Sequence, residues 1–354
     1  MKKIKVGVIG IGSIAHMFHL GNYRDHPDVE LTAVADIDFK RAQQAAADFG
    51  GANAYASAEE MFATERLDAV SICTFNESHV QLALTALSQG VDVLVEKPMA
   101  LHAEEAQLLR SAAEASNNVV MVGMSHRYRS DSQVIQQTVQ SGELGDIYFA
   151  KTKILRRRGV PIGWFTSKTY SGGGPMMDIG VHVLDLAWWM MGMPEPDKVM
   201  GKLFHKIAPY KADQSQAYVA HSRENKEAAV YDVEDLGTAY ITFKNGAVLT
   251  VEAGWAVNGS QDDAVKVELF GTKGGASLEP FSLFRDMEGI PVEHHLQVPS
   301  NDLYKQEIDH FIHCVQHRTE PISDARQGAE VVKMLEAIRI SSETNDVVKL
   351  WRGY

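Results

Sequence analysis

The sequence predicts an α/β domain built on a doubly wound parallel sheet, residues 1–123, followed by an α+β domain with a large, mostly antiparallel open sheet, residues 124–354. Three observations carry this. Lys5 to Asp36 reads as apolar run, glycine-rich turn, helix, second apolar run and acid. Strand and helix patterns then alternate as far as Val122, which implies parallel pairing with right-handed crossovers. From Gly123 onward helices thin out, and amphipathic strands joined by short turns take over, the texture of an antiparallel sheet.

In the first domain, Lys5–Ile9 is a strand apolar enough to be covered on both faces. In Gly10-Ile11-Gly12-Ser13-Ile14-Ala15, Gly10 permits a tight turn, Gly12 leaves the backbone open to a pyrophosphate, and Ala15 is small enough where helix meets strand. The helix, running to about Tyr23, then aims its free N–H groups at phosphate. Glu30–Ala35 is the second strand, and Asp36 follows at the spacing of roughly 20 residues that a dinucleotide site requires. Gly10, Ile11, Gly12, Ser13 and Ile14 are therefore candidates for the phosphates, and Asp36, Ile37 and Arg41 for the adenosine end. A carboxylate there accepts ribose hydroxyls and repels a 2′-phosphate, so NAD is expected, with NADP possible.

Asp38 caps a helix over about Phe39–Phe49 that Gly50 and Gly51 end. Ser57-Ala58-Glu59-Glu60 is a capping box. Ala69–Cys73 is a strand, Thr74–His79 a loop, and a further helix ends at Gly90. Asp92–Glu96 is a strand leading into Lys97-Pro98; a helix over about Ala103–Ser116 precedes the strand Val119–Val122. Ligands sit beyond the carboxyl ends of such strands, which aligns Gly10, Asp36, Thr74, Asn76 and Lys97 along one edge. Lys97, held behind a buried strand by Pro98, is a catalytic candidate; a snorkelling lysine is the plain alternative. Glu96 can bind a ribose hydroxyl or pair with the lysine.

These stretches together, Gly10–Ala15, Asp36, Thr74–His79 and Glu96-Lys97-Pro98, resemble the glucose–fructose oxidoreductase, inositol dehydrogenase and rhizopine-catabolism (Gfo/Idh/MocA) family, whose first domain is a Rossmann fold. The resemblance implies that Lys97 lies by the nicotinamide and the reacting carbon, with Thr74, Phe75, Asn76, His79 and Glu96 around the cofactor. Phe75 stands where the family usually has proline, so the path of that loop is open. Arg127 and Tyr128, after the last strand, can line the nicotinamide pocket.

In the second domain, Lys244-Asn245-Gly246 is a hairpin turn between Thr238–Phe243 and Ala247–Ala253. Val265–Phe270 and Ala276–Glu279 flank Gly274-Gly275. One face of this sheet is free for self-association, and the resemblance implies a homodimer or homotetramer built through it. It also implies that the last helix, about 327–342, packs back on the first domain. Gly172, Gly173 and Gly174 precede a helix on which Asp178, His182 and Asp185 share one face at i, i+4 and i+7. His182 can exchange a proton near neutral pH, and a carboxylate one turn away can fix its tautomer; a buried helix satisfying its own polar groups is the alternative. The Gly-Gly-Gly-x-x-x-Asp-x-Gly-x-His pattern matches the family's second signature, which implies that His182 and Asp178 are catalytic and bind substrate. Arg156-Arg157-Arg158 and Trp164 fall in a loop that relatives place over the substrate; Arg156 can hold an anionic group, or the run is a solvated turn. Glu307, His310, Cys314 and His317 at helical spacing read as a half-buried face, and no metal is expected.

A net charge of −12 without a basic tail argues against nucleic acid as a partner. No apolar run approaches the roughly 18 residues of a membrane span, and the glycine turn interrupts the N-terminal run too early for a signal peptide. Cys73 and Cys314 read as buried thiols in a reducing compartment, so a cytoplasmic protein is expected. The function expected is NAD-dependent oxidation of a secondary hydroxyl on a sugar, sugar derivative or cyclitol. His182 takes the proton, Lys97 steadies the alkoxide, and loops at roughly 155–170 and 205–235 choose the substrate. The alternatives are an NADPH-dependent reductase of another carbonyl or imine, and a non-catalytic NAD-binding regulator.

Overall fold

The computed structural model describes residues 3–161, 163–207, 230–259 and 265–350. Residues 208–229, most of the second loop expected to choose the substrate, lie outside the described residues. Six strands form the first sheet: β1 (Ile4–Ile9), β2 (Val29–Ala35), β3 (Asn53–Tyr55), β4 (Ala69–Ile72), β5 (Asp92–Glu96) and β6 (Val120–Gly123). Their order is β3-β2-β1-β4-β5-β6, and every pairing is parallel. Between them run α1 (Leu20–Asp25), α2 (Phe39–Asp48), α3 (Ala58–Thr64), α4 (His79–Ser88) and α5 (Ala103–Ala115). The caps read from sequence are present: Asp38 accepts from the Arg41 N–H, and Ser57 from the Glu60 N–H. The edge strand β3 was not expected, being three residues long and apolar on one side only.

The strand order turns about β1 and β4, which opens a crevice at their carboxyl ends. Gly10 there has φ +85, and a Cβ would lie 2.7–2.8 Å from Thr74 and the Cys73 backbone, so only glycine lets the two loops meet. A Cβ on Gly12 would meet nothing within 4 Å, leaving open space in front of the loop. The following helix is not regular: Ala15–His19 forms a wide π turn before α1.

After α6 (Ser130–Gln140) comes β7 (Ile147–Leu155), then α7 (Lys168–Ser171), a second π turn at Met176–Gly180, and α8 (Val181–Met190). The sheet continues with β8 (Pro196–Phe204), β9 (Leu236–Phe243), β10 (Val248–Gly254), β11 (Lys266–Gly271), β12 (Gly274–Ser277), β13 (Ser282–Met287) and β14 (Ile290–His295). Then α9 (Leu303–His317), α10 (Ala325–Thr344) and β15 (Val348–Lys349) close the described chain. The sheet order is β14-β13-β12-β11-β7-β10-β9-β8-β15, antiparallel throughout except for the parallel pair β7–β10. Gly274 and Gly275 lie inside β12 rather than between strands, because a side chain at either would strike a carbonyl of the neighbouring strand.

Nine of the ten α8 residues are buried, which makes it the core helix under this sheet. The opposite face carries exposed Tyr148, Met200 and Tyr240. The last two long helices reach back: Ile308, Phe311 and Ile312 of α9 share a buried cluster with β1, and α10 packs on α5 as well as β8. Ser323 exchanges backbone and hydroxyl hydrogen bonds with Val122 at the edge of β6. No helix among the described residues is long and apolar enough to cross a membrane.

Candidate active site

The crevice narrows where β5 ends. There a cavity of about 270 Å³ is lined from the first domain by Ile14, Thr74, Asn76, His79, Glu96 and Lys97, and from the second by Arg156, Trp164, Asp178 and His182. Lys97 Nζ donates to the Asp178 carbonyl at 2.9 Å and to Asp178 Oδ1 at 3.3 Å. Trp255 Nε1 donates to the other oxygen, Asp178 Oδ2, at 3.1 Å. Both π turns serve the same dipeptide. The second presents Asp178 to Lys97, while the first turns His19 inward, where its Nε2 lies 2.9 Å from Glu96 Oε1. His19 continues to Ser71, whose hydroxyl lies 2.6 Å from that of Tyr23. Burial opposes ionisation of Glu96, but the His19 hydrogen bond and the nearby Lys97 charge hold it below the usual carboxylate range.

The loops around this centre are fixed by side chains reading backbone. His79 lies 2.9 Å from the Pro98 carbonyl and 3.2 Å from that of Thr74, tying the two loops together. Asn76 donates to the Ser171 carbonyl across the domains. Phe75 adopts φ −64, the value proline would impose, and its ring packs against Trp164 and Tyr170. Glu234, which nothing in the sequence marked, accepts from the Gly174 and Met176 N–H groups and anchors the glycine loop. A Cβ on Gly174 would sit 2.1 Å from the Glu234 carbonyl, so that close approach needs glycine.

Farther along the strand ends, Asp36 accepts from the Ile11 N–H at 2.7 Å and the Asp38 N–H at 2.8 Å, with Arg41 Nη1 at 3.5 Å. Ile37 is exposed beside it. Gly10, Ile11, Gly12 and Ser13 run between this acid and the cavity. The open space on Gly12 and the carboxylate at the end of β2 fit a dinucleotide laid across the sheet.

Five expectations are corrected. Arg127 does not line the cavity: it is fully buried and bonds Asp185 through two parallel contacts of 2.9 and 2.6 Å, as well as the Ile322 carbonyl and Gln327. Tyr128 is also buried elsewhere, against Met121 and His310. Asp185 does not line the cavity with Asp178 and His182: it is buried and held by Arg127. Asp178 bonds Lys97 and Trp255 rather than orienting His182, and Glu96 bonds His19 rather than the lysine side chain. On α9, Glu307 and Cys314 are buried and His310 accepts from the Ile322 N–H. No group of three or more potential metal ligands is assembled among the described residues.

His126, overlooked in the sequence because it sits between a strand and the more conspicuous Arg127, does line the cavity. Its ring stands edge-on to that of His182, with centres 4.9 Å apart. Burial pushes His126 down to about 4, and burial with the nearby Lys97 and Arg156 charges holds His182 well below the ordinary imidazole value. His182 therefore stays neutral near pH 7 rather than titrating there. Burial also lowers His79. With folded values below unfolded ones, the unfolded chain binds more protons as pH falls below about 6.5, so these histidines cost stability on acidification, for His126 by about 1.4 kcal/mol per pH unit between about 6.5 and about 4. Glu307, held protonated by burial and the Glu96 charge, acts in the opposite sense. Comparing urea unfolding of His126→Gln with wild type from about pH 7.5 to about pH 5 isolates one histidine. The variant should lose stability less steeply, and identical slopes would contradict the low value.

A dinucleotide fold with a lysine, a carboxylate and a neutral histidine gathered at its crevice defines an NAD-dependent oxidoreductase. The family profile described as "Oxidoreductase family, NAD-binding Rossmann fold" matches residues 4–124, and that of the GFO/IDH/MocA C-terminal domain matches 132–277. The chain belongs to the GFO/IDH/MocA oxidoreductase family. It is 33% identical over 350 residues to D-glucoside 3-dehydrogenase of Escherichia coli (strain K12), covering 98% of this chain and 97% of the relative. It is 24% identical to D-apiose dehydrogenase of Paraburkholderia graminis, covering 99% and 90%. Levoglucosan dehydrogenase in complex with NADH and levoglucosan shares the fold at a TM-score of 0.85 and 21% identity, over 99% of this chain and 100% of that one.

Proposed function

We propose that the chain oxidises a secondary ring hydroxyl of a D-glucoside, at C3, using NAD. The observation that carries the chemistry is the convergence of Lys97, Asp178 and His182 on one cavity at the carboxyl end of β5. The glucoside and its C3 position rest on the full-length similarity to the 3-dehydrogenase. We assign residues 1–123 to cofactor binding, with Gly10–Ile14 at the phosphates and Asp36, Ile37 and Arg41 at the adenosine end. Residues 124–354 supply the substrate side. Bound NAD supplies the hydride acceptor.

Lys97 commits two of its donors to Asp178 and keeps a third for the substrate oxygen, where it stabilises developing alkoxide charge. His182, neutral, takes the hydroxyl proton. A depressed basicity suffices, because a hydroxyl whose carbon is losing hydride is strongly acidified. Arg156 and Trp164 contact the rest of the sugar. A second copy of the chain is the proposed macromolecular partner, docked through the sheet face that exposes Tyr148, Met200 and Tyr240 as a homodimer or homotetramer; sedimentation of the purified protein reads the copy number directly. Two buried cysteines without a disulfide, Cys73 and Cys314, support a cytoplasmic location.

The test is reduced-cofactor formation from methyl glucosides, free aldoses and inositols, with NAD and NADP in parallel. Methyl glucoside with NAD should give the fastest turnover and a 3-keto product by NMR. Turnover confined to inositols, or NADP preferred, would overturn the substrate or the Asp36 assignment respectively.

A further inference from the structure

We propose that His126 binds the hydroxyl next to the one oxidised, so that the site selects a vicinal diol rather than an isolated secondary alcohol. The inference rests on the glucoside reading above and adds a specificity-determining residue to it. His126 enters the cavity from the turn Ser125–Tyr128 just beyond β6, where the two domains join, whereas His182 comes from α8. Their rings meet edge-on at 4.9 Å.

In both rings Nδ1 is sealed within the protein and has no hydrogen-bond partner. Neither residue is wholly buried, so the remaining access belongs to the other side of each ring, and Nε2 is the nitrogen left open to the cleft. Nε2 of the neutral His126 ring therefore offers the cavity one hydrogen-bonding nitrogen, which a hydroxyl can meet as acceptor or as donor.

That nitrogen stays uncharged in the working range, since burial keeps the ring neutral. It suits a hydroxyl rather than an anion. His182 at the reacting hydroxyl and His126 beside it each reach about 2.9 Å. Oxygens on adjacent carbons of a pyranose fall within the reach of both rings, whose centres are 4.9 Å apart. Arg129, the charge that weighs most against protonating His126, is bonded to Asp131 by 2.9 and 2.6 Å contacts and does not line the cavity.

The experiment compares wild type, His126→Ala and His126→Gln on methyl glucoside and on its 2-deoxy and 4-deoxy analogues. On the parent, His126→Ala should lower kcat/KM ten- to a hundredfold, chiefly through KM, and His126→Gln should recover part of the loss by restoring a hydrogen-bonding group. On one of the two deoxy analogues, wild type should already be slow and His126→Ala no slower. An equal loss on all three substrates would reduce His126 to a structural role while leaving the glucoside reading intact. Wild type inactive on every glucoside would remove both.

Discussion

Lys97→Ala should lower kcat by about a thousandfold while NADH binds with nearly wild-type affinity. Nothing else among the described cavity groups puts an ammonium at the end of β5. Its Nζ is fixed by the Asp178 carbonyl and carboxylate, so it reaches the substrate oxygen already oriented. Removing one such preorganised donor typically costs 10²–10³ in rate, and loss of an assisting proton-transfer group costs a similar factor. The effect should fall on kcat because the charge it stabilises exists only as the hydride leaves. Asp178→Asn should show a smaller loss, since the carbonyl contact survives. Fluorescence titration with NADH and steady-state kinetics separate the two quantities. A Lys97→Ala enzyme with ordinary turnover would take the lysine out of the chemistry.

Arg127→Ala should destabilise the protein by about 3–5 kcal/mol, the usual cost of leaving one partner of a buried ion pair uncompensated. Arg127 joins the turn after β6 to Asp185 on α8 and to the segment entering α10, with its guanidinium over Trp189. Its loss strands a buried carboxylate and the Ile322 carbonyl together. Arg127→Met combined with Asp185→Leu should recover much of the loss, because the pair then becomes an apolar contact of similar volume. Urea midpoints measure this, and KM for NAD measured well below the unfolding transition should stay near wild type. A raised KM at unchanged stability would instead return Arg127 to the nicotinamide pocket.

The contrast between Lys97 and Arg127 marks where reading the chain alone succeeds. Lys97 lies directly after a buried strand whose edge in a parallel sheet is set by local pattern, so its position follows from its neighbours. Arg127 lies directly after such a strand too, yet its partners are 58 to 200 positions away. Charge and adjacency do not distinguish an arginine facing a cleft from one neutralised in the interior. Asp178, His182 and Asp185 are a second case: helical spacing grouped them, but spacing carries no information about which of them meets the cavity and which the buried Arg127.

What the sequence determined was everything with a local cause: the strand–turn–helix–strand unit ending at Asp36, the helix caps at Asp38 and Ser57, the hairpin at Lys244–Gly246, and the motifs around Lys97 and His182. Only the tertiary structure decided the partners: Asp178 with Lys97, His19 with Glu96, Asp185 with Arg127, and His126 beside His182. Turn and cap geometry is fixed within a few residues by steric and hydrogen-bonding preferences. Which buried polar groups meet is fixed by how two sheets and the returning helices pack, a property no short stretch of chain contains.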